Sequence, residues 1–314
     1  RSAAVYGARQ GKRHIISTAF EHHAVLHTLN RLEKEGFEVT YLNVDSKGFV
    51  NLNELRNNIT DKTILITIMT ANNEIGTIQP IEKIGRIAKL NNVYFHTDAV
   101  QVIGNVRINV KQLGIDLLSM SAHKFYGPKG EGALYVKNGI DFERIQDGGH
   151  QEKDLRAGTE NVAGIVGMGK AIELAYNEFD KNNNKIKKIR DYYIKQIEEK
   201  IPYIKLNGHI TKRLAGNANI YFEFINAQDL LLKLDAKGNK EINKSQKNPI
   251  IEGDVVVLVN EYSASASEIL AGALRDKADA KIVGIKTYGK GVIQSVLELN
   301  DGSVLKLTVS EYFT

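Results

Sequence analysis

Three short stretches of this chain set polar side chains directly after apolar runs: TANNEIG at residues 70 to 76, HTDAVQ at 96 to 101 and SAHKFYGPKG at 121 to 130. They offer an amine in Lys124, a carboxylate in Asp98, amides in Asn73 and Gln101, a hydroxyl in Ser121 and an imidazole in His123. Taken singly, each has an ordinary explanation. Asp98 or Ser121 can cap a turn, His123 can be a packing histidine, and Lys124 can be a solvated loop lysine. Taken jointly they suit one chemistry. A lysine amine condenses with an aldehyde as a Schiff base while a carboxylate keeps a pyridinium nitrogen protonated, the division of labour of pyridoxal phosphate catalysis. Lys124 and Asp98 fit those two parts. Ser121 and His123 suit a phosphate, Asn73 or Gln101 a ring oxygen, and His22, farther upstream, is available to stack on the ring.

Such a set works only if the chain brings the three stretches to one place. HIISTAF (14 to 20), FEVTYLNV (37 to 44), TILITIMT (63 to 70), NVYFHTDAV (92 to 100) and IDLLSMSA (115 to 122) read as strands, being short, apolar and rich in β-branched and aromatic residues. AVLHTLNRLEKEG (24 to 36), LNELRNNI (52 to 59) and IEKIGRIAKLN (81 to 91) carry helical periodicity between them. Continuous apolar strands alternating with amphipathic helices predict an α/β fold with a mainly parallel sheet covered on both faces. Ligands of such sheets bind past the carboxyl ends of the strands, where all three polar stretches fall. Residues 161 to 201 read as a long helical stretch, and its Lys-rich part as a solvated helix face.

At 314 residues, 42% of them hydrophobic, the chain can bury a sizeable core and has room for about two domains. Its formal charge of +5 is interspersed with acidic residues, and no Arg-rich stripe interleaved with aromatics calls for a nucleic-acid partner. It has no cysteine, which excludes disulfides, Cys-ligated metal centres and thiol nucleophiles within these residues; no metal site is expected. No apolar run approaches about 20 residues, so no membrane partner is expected, and the opening RSAAVYGARQGKRH lacks the apolar core of a secretory signal.

EHHAVLHT, NNEIG, HTDAVQ, SAHKFYGPKG, GGHQEKDLRAGTENV and RLAGNANIYFEF, in this order and at these separations, resemble the cysteine desulfurases. These are class-V aminotransferase-like enzymes that mobilise sulfur from L-cysteine for iron–sulfur cluster assembly. The resemblance covers residues 1 to about 238. It implies the large domain of a fold type I pyridoxal-phosphate-dependent transferase, a homodimer, a sulfur-acceptor or scaffold protein as partner, and a cytoplasmic location. By the same resemblance Lys124 is the Schiff-base lysine, Asp98 pairs with the pyridinium nitrogen, Gln101 meets the ring hydroxyl and His22 stacks on the ring. Asn73 sits near the ring oxygen and substrate, Ser121 and His123 bind phosphate, and Thr159 reaches the phosphate of the neighbouring subunit. The family also has a segment before the position of Arg1 that completes the phosphate cup, a loop cysteine that attacks the substrate sulfur, and an arginine for the substrate carboxylate. None of these three is found here, so the desulfurase part reads as truncated at both ends and unable to carry a persulfide.

Past LLLKLDAKG (230 to 238) the text changes. NKEINKSQKNPIIEGD is polar; beyond it an apolar strand at 255 to 259 leads into Ser263, Ser265 and Ser267, then a helix, a strand and Lys290 in a glycine-flanked turn. Ser265 and Glu268 have the spacing of a capping box, a purely structural use. SASASEI, TYGKG and Gln294 also resemble the C-terminal processing peptidases, which implies Ser265 as nucleophile, Lys290 as base and Gln294 as orienting partner in an enzyme that would be exported. The division expected is therefore a cofactor-binding large domain at 1–204, the start of a small domain at 205–238 and a small α/β protease-core fragment at 239–314. Three functions stay open: a desulfurase-like protein lacking its sulfur nucleophile, a Ser/Lys endopeptidase, and a non-functional hybrid of the two.

Overall fold

A computed structural model describes residues 1–227, 230, 256–261, 270–272, 274–275, 280–287, 292–298 and 304–311 of the chain. Two compact units divide it, Arg1–Tyr221 and Phe222–Thr314.

In the first unit the five apolar runs form β1 (His14–Thr18), β2 (Glu38–Leu42), β3 (Thr63–Thr67), β4 (Tyr94–Asp98) and β5 (Leu117–Ser121). All are parallel and lie in the order β2-β1-β3-β4-β5; β6 (Gly132–Val136) closes the β5 edge antiparallel. Successive side chains of a strand point to opposite faces, so Ile15 and Leu65 pack with Leu29 and Leu32 of α2 (His23–Lys34), while Ile16 and Ile66 pack with Ile84 and Ile87 of α4 (Ile81–Leu90). α3 (Leu52–Asn57) and α5 (Val110–Leu113) extend the α4 layer. Both faces being covered, the strands need no polar side, which is why they read as near-continuous apolar runs.

α1 (Ser2–Arg9) adds to the α2 layer, and the pattern of apolar runs did not announce it. Its buried residues are Ala3, Ala4 and Gly7, so it lies close on the sheet instead of projecting a ridge of large side chains. A Cβ on Gly7 would meet Ile64 at 2.4 Å. The helical stretch from 161 to 201 divides at Glu178 into α6 (Val162–Asn177) and α7 (Phe179–Lys200). α6 packs Met168 and Ala171 into the same cluster as Ala122 and Phe125, at the turn after β5. A short pair, β7 (Ile204–Leu206) and β8 (Ile220–Phe222), comes next.

In the second unit β9 (Val256–Val259) runs parallel to β10 (Lys281–Gly284), and β11 (Val292–Glu298) pairs antiparallel with β12 (Val304–Glu311). Ser265 and Lys290 lie outside the described residues, and Gln294 falls on β11. Among the described residues no helix is long and apolar enough to cross a membrane.

Candidate active site

Because β1, β3, β4 and β5 are neighbours in that order, their carboxyl ends form one row, and the turns that leave them carry the candidate residues. The turn after β1 bears Glu21 and His22. His22 caps α2 from an extended backbone, its Nδ1 accepting from the Ala24 amide at 3.2 Å, and its ring is exposed. Glu21 is buried, with Oε1 accepting from the Thr18 hydroxyl at 2.9 Å and from the Met69 amide at 2.7 Å.

The turn after β3 is built on Asn72. Its Oδ1 accepts from the Glu74 and Ile75 amides, both at 2.9 Å, and its Nδ2 donates to the Phe20 carbonyl at 3.0 Å. That bond ties the β1 and β3 turns together and leaves Asn73 exposed at the surface. A later segment grips the same turn from outside. Asn217 donates to the Glu74 carbonyl at 2.8 Å, Arg213 to the Ile75 carbonyl at 3.2 Å, and the Ile78 amide to the Lys212 carbonyl at 3.0 Å. Two stretches far apart in the sequence, NNEIG and RLAGNAN, are thus one structural unit.

Asp98 ends β4, buried, with Oδ1 accepting from the Val100 amide at 2.9 Å. Desolvation pushes its carboxyl above the ordinary carboxylate value; the Val100 bond and the nearby His22 ring draw it back. His96, two residues earlier on the same face, links β3 to β5 through Thr67 Oγ1 at 2.8 Å and Ser119 Oγ at 2.9 Å. Desolvation pushes this imidazole down to about 4, so it is a neutral polar floor beside Asp98. Gln101 stands half-buried in the next turn.

After β5 the chain takes one 3₁₀ turn, Ala122–Phe125. Ala122 and Phe125 bury themselves in the core, which turns His123 and Lys124 outward. Ser121 Oγ and His123 Nδ1 lie 2.8 Å apart, and Lys124 is free of hydrogen bonds and ion pairs among the described residues. The turn is closed by Tyr126 at φ 65° and by Gly127, where a Cβ would meet the Ala122 Cβ at 2.9 Å and its carbonyl oxygen at 3.0 Å.

His22, Asn73, Asp98, Gln101, Ser121, His123 and Lys124 therefore all stand on the one row of strand ends. Thr159 does not; it is exposed on the loop before α6, away from the row's hydrogen bonds. A groove of about 380 Å³ runs from Asp98 and His96 over the sheet face between α1, α2 and β6. A larger hollow of about 730 Å³ opens at the opposite, amino-terminal edge, among Tyr94, Asp116 and Lys137, and contains none of the candidates. Glu21, Asn72 and His96 were not among the residues expected from the sequence. The available signal was position, since each sits within about five residues of a strand's carboxyl end or on its last turn.

Residues 2–243 match the family profile described as aminotransferase class-V, and residues 213–314 match peptidase family S41. The chain is 56% identical over 235 residues to the cysteine desulfurase IscS of Clostridium botulinum, covering 74% of this chain and 59% of that protein. It is 58% identical over 233 residues to the IscS of Methanosarcina thermophila, covering 74% and 57%. Among solved structures, a NifS-like protein superposes with a TM-score of 0.72 at 38% identity, covering 75% of this chain and 65% of that one. DndA from Streptomyces lividans gives 0.67 at 32% identity, covering 75% and 67%. The chain spans a little under three fifths of the length of the curated relatives it matches.

Proposed function

The chain belongs to the class-V aminotransferase family, whose cofactor is pyridoxal phosphate, and from that premise we propose that residues 1–238 form a cofactor-binding site of the cysteine desulfurase type. The observation that carries this reading is the row of strand ends, with the exposed Lys124 amine on the β5 turn and the buried Asp98 carboxylate on the adjacent β4 end. The donor set suits the cofactor. Asp98 has one oxygen tied to Val100 and the other available to a cationic ring nitrogen, the Ser121 and His123 pair offers donors to a phosphate, and His22 offers an exposed ring on a fixed helix cap. Bound, the cofactor would supply an electron sink for bonds at the α-carbon of L-cysteine. Asn73 and Gln101 would orient its ring oxygen. Thr159, away from this row, would serve the phosphate of a partner subunit in a homodimer.

These 314 residues contain no cysteine, so we propose that the chain binds cofactor without taking up sulfur itself. Adding pyridoxal phosphate to the purified chain should give a visible absorbance band that Lys124→Ala abolishes, and L-cysteine with a reductant should then release no sulfide. A wild-type chain without the band refutes the cofactor reading; sulfide release refutes the second part. The cytoplasmic location and the sulfur-accepting or scaffold partner of cluster assembly go with the desulfurase reading.

The match of residues 213–314 to a peptidase family supports a second reading, a Ser/Lys peptidase using Ser265, Lys290 and Gln294. Its test is labelling by an active-site acylating probe, lost in Ser265→Ala. The two matches overlap at 213–243, and the hybrid reading, in which two unrelated proteins meet near residues 234 to 240, is tested by sequencing source DNA across codons 200 to 290. One uninterrupted read is the result against an artefactual joint.

A further inference from the structure

Glu21 is an acidic side chain placed where a charge is hard to keep. It is 5% exposed, and only one of its oxygens is served: Oε1 accepts from Thr18 and from the Met69 amide, while Oε2 is buried without a hydrogen-bond partner among the described residues. A carboxylate in that position would hold negative charge on an oxygen that no donor meets, a costly arrangement. The charged group that bears on it electrostatically is another acid, Asp98 at the end of β4, two strands along the sheet from β1. His22, next along the chain, acts on Asp98. Two carboxyls in one desolvated corner do not both ionise readily, and the better-solvated one keeps the charge.

We propose that Glu21 is a positioning residue that works as a neutral carboxylic acid: Oε1 pins the turn bearing His22 to the end of β3, and the proton on Oε2 leaves the negative charge of the pair on Asp98. The functional sense of this rests on the cofactor-site reading, because His22 and Asp98 are the groups that would meet the ring. The bonds themselves do not. The Thr18 and Met69 contacts hold one oxygen from two adjacent strands, and Asn72 fastens the same turn through the Phe20 carbonyl, so His22 is fixed from both sides of the β1 end. Burial, opposed by the two hydrogen bonds and aided by Asp98, pushes Glu21 up to about 8, in agreement with that geometry.

A folded-state value above the unfolded one means that this group's contribution to stability is full below about pH 4.5 and is lost as pH rises towards 8. Glu21→Gln keeps the shape and a carbonyl for Thr18 and Met69 and cannot ionise. Urea unfolding of the full chain without cofactor, wild type against Glu21→Gln, should show the wild-type folding constant falling by about a thousandfold relative to the variant between pH 4.5 and 8. Equal pH slopes in the two proteins overturn the neutral-acid assignment. Titration with pyridoxal phosphate at pH 7 reads the positioning role: Glu21→Gln should bind within about threefold of wild type, and Glu21→Ala, which frees the His22 turn, at least about tenfold more weakly. Wild-type affinity in a folded Glu21→Ala overturns positioning. If the wild-type chain itself binds no cofactor, the site reading fails and the unfolding comparison still decides the state of Glu21.

Discussion

His96 and Asp98 are two residues apart on one face of β4, and their surroundings treat charge differently. Asp98 sits under desolvation partly offset by an amide and a nearby ring, whereas His96 is held between two hydroxyls, where desolvation and the positive charge of the chain's amino terminus oppose its protonation. For His96 the folded-state value, about 4, lies below that of a free imidazole, so its contribution to stability is intact above about pH 6.5 and is lost as pH falls towards 4. The loss should be on the order of 3 kcal/mol. Urea midpoints of wild type and His96→Asn between pH 7 and 4 check it, with the acid-side decline expected to be shallower in the variant. The placement of Lys124, Asp98 and the Ser121–His123 pair at the strand ends was legible because their residue types are few and their position after apolar runs is regular. Glu21 and His96 were not, since a glutamate beside two histidines and a histidine inside a strand look ordinary until burial and partners are known.

Elements were legible wherever one face or both faces are apolar. All five parallel strands fall inside the runs read from the sequence, because a strand covered on both sides cannot hide its composition. β6 and α1 escaped for opposite reasons: β6 is an edge strand with its first three residues exposed, and α1 buries only small residues. Small residues also decide how closely the α4 layer packs. A Cβ on Gly85 of α4 would meet the Leu113 carbonyl oxygen at 2.1 Å, and a backbone oxygen cannot swing aside as a side chain can. Gly85→Ala gains helix propensity and should still destabilise the chain by about 1–3 kcal/mol, since overpacking at a backbone contact outweighs a propensity term of at most about 1 kcal/mol. A urea midpoint at or above that of wild type would show that α4 and α5 separate without cost.

At the scale of the whole molecule, two family matches meet on one chain. Among the described residues, both large buried clusters are composed of residues between Ala3 and Leu214, inside the first compact unit. The row of strand ends and the segment that grips its Asn72 turn also end by Asn219. Cutting the chain beyond this unit removes none of the described residues of either cluster, so the packing among them around Lys124 and Asp98 should persist. Limited proteolysis of the full chain that leaves a fragment ending near residue 225 should therefore leave its Lys124-dependent absorbance band and cofactor affinity unchanged within about twofold. If trimming abolishes the band, residues beyond 225 belong to the site, and the peptidase-like portion would have to be read as part of the cofactor enzyme instead of a second protein on the same chain.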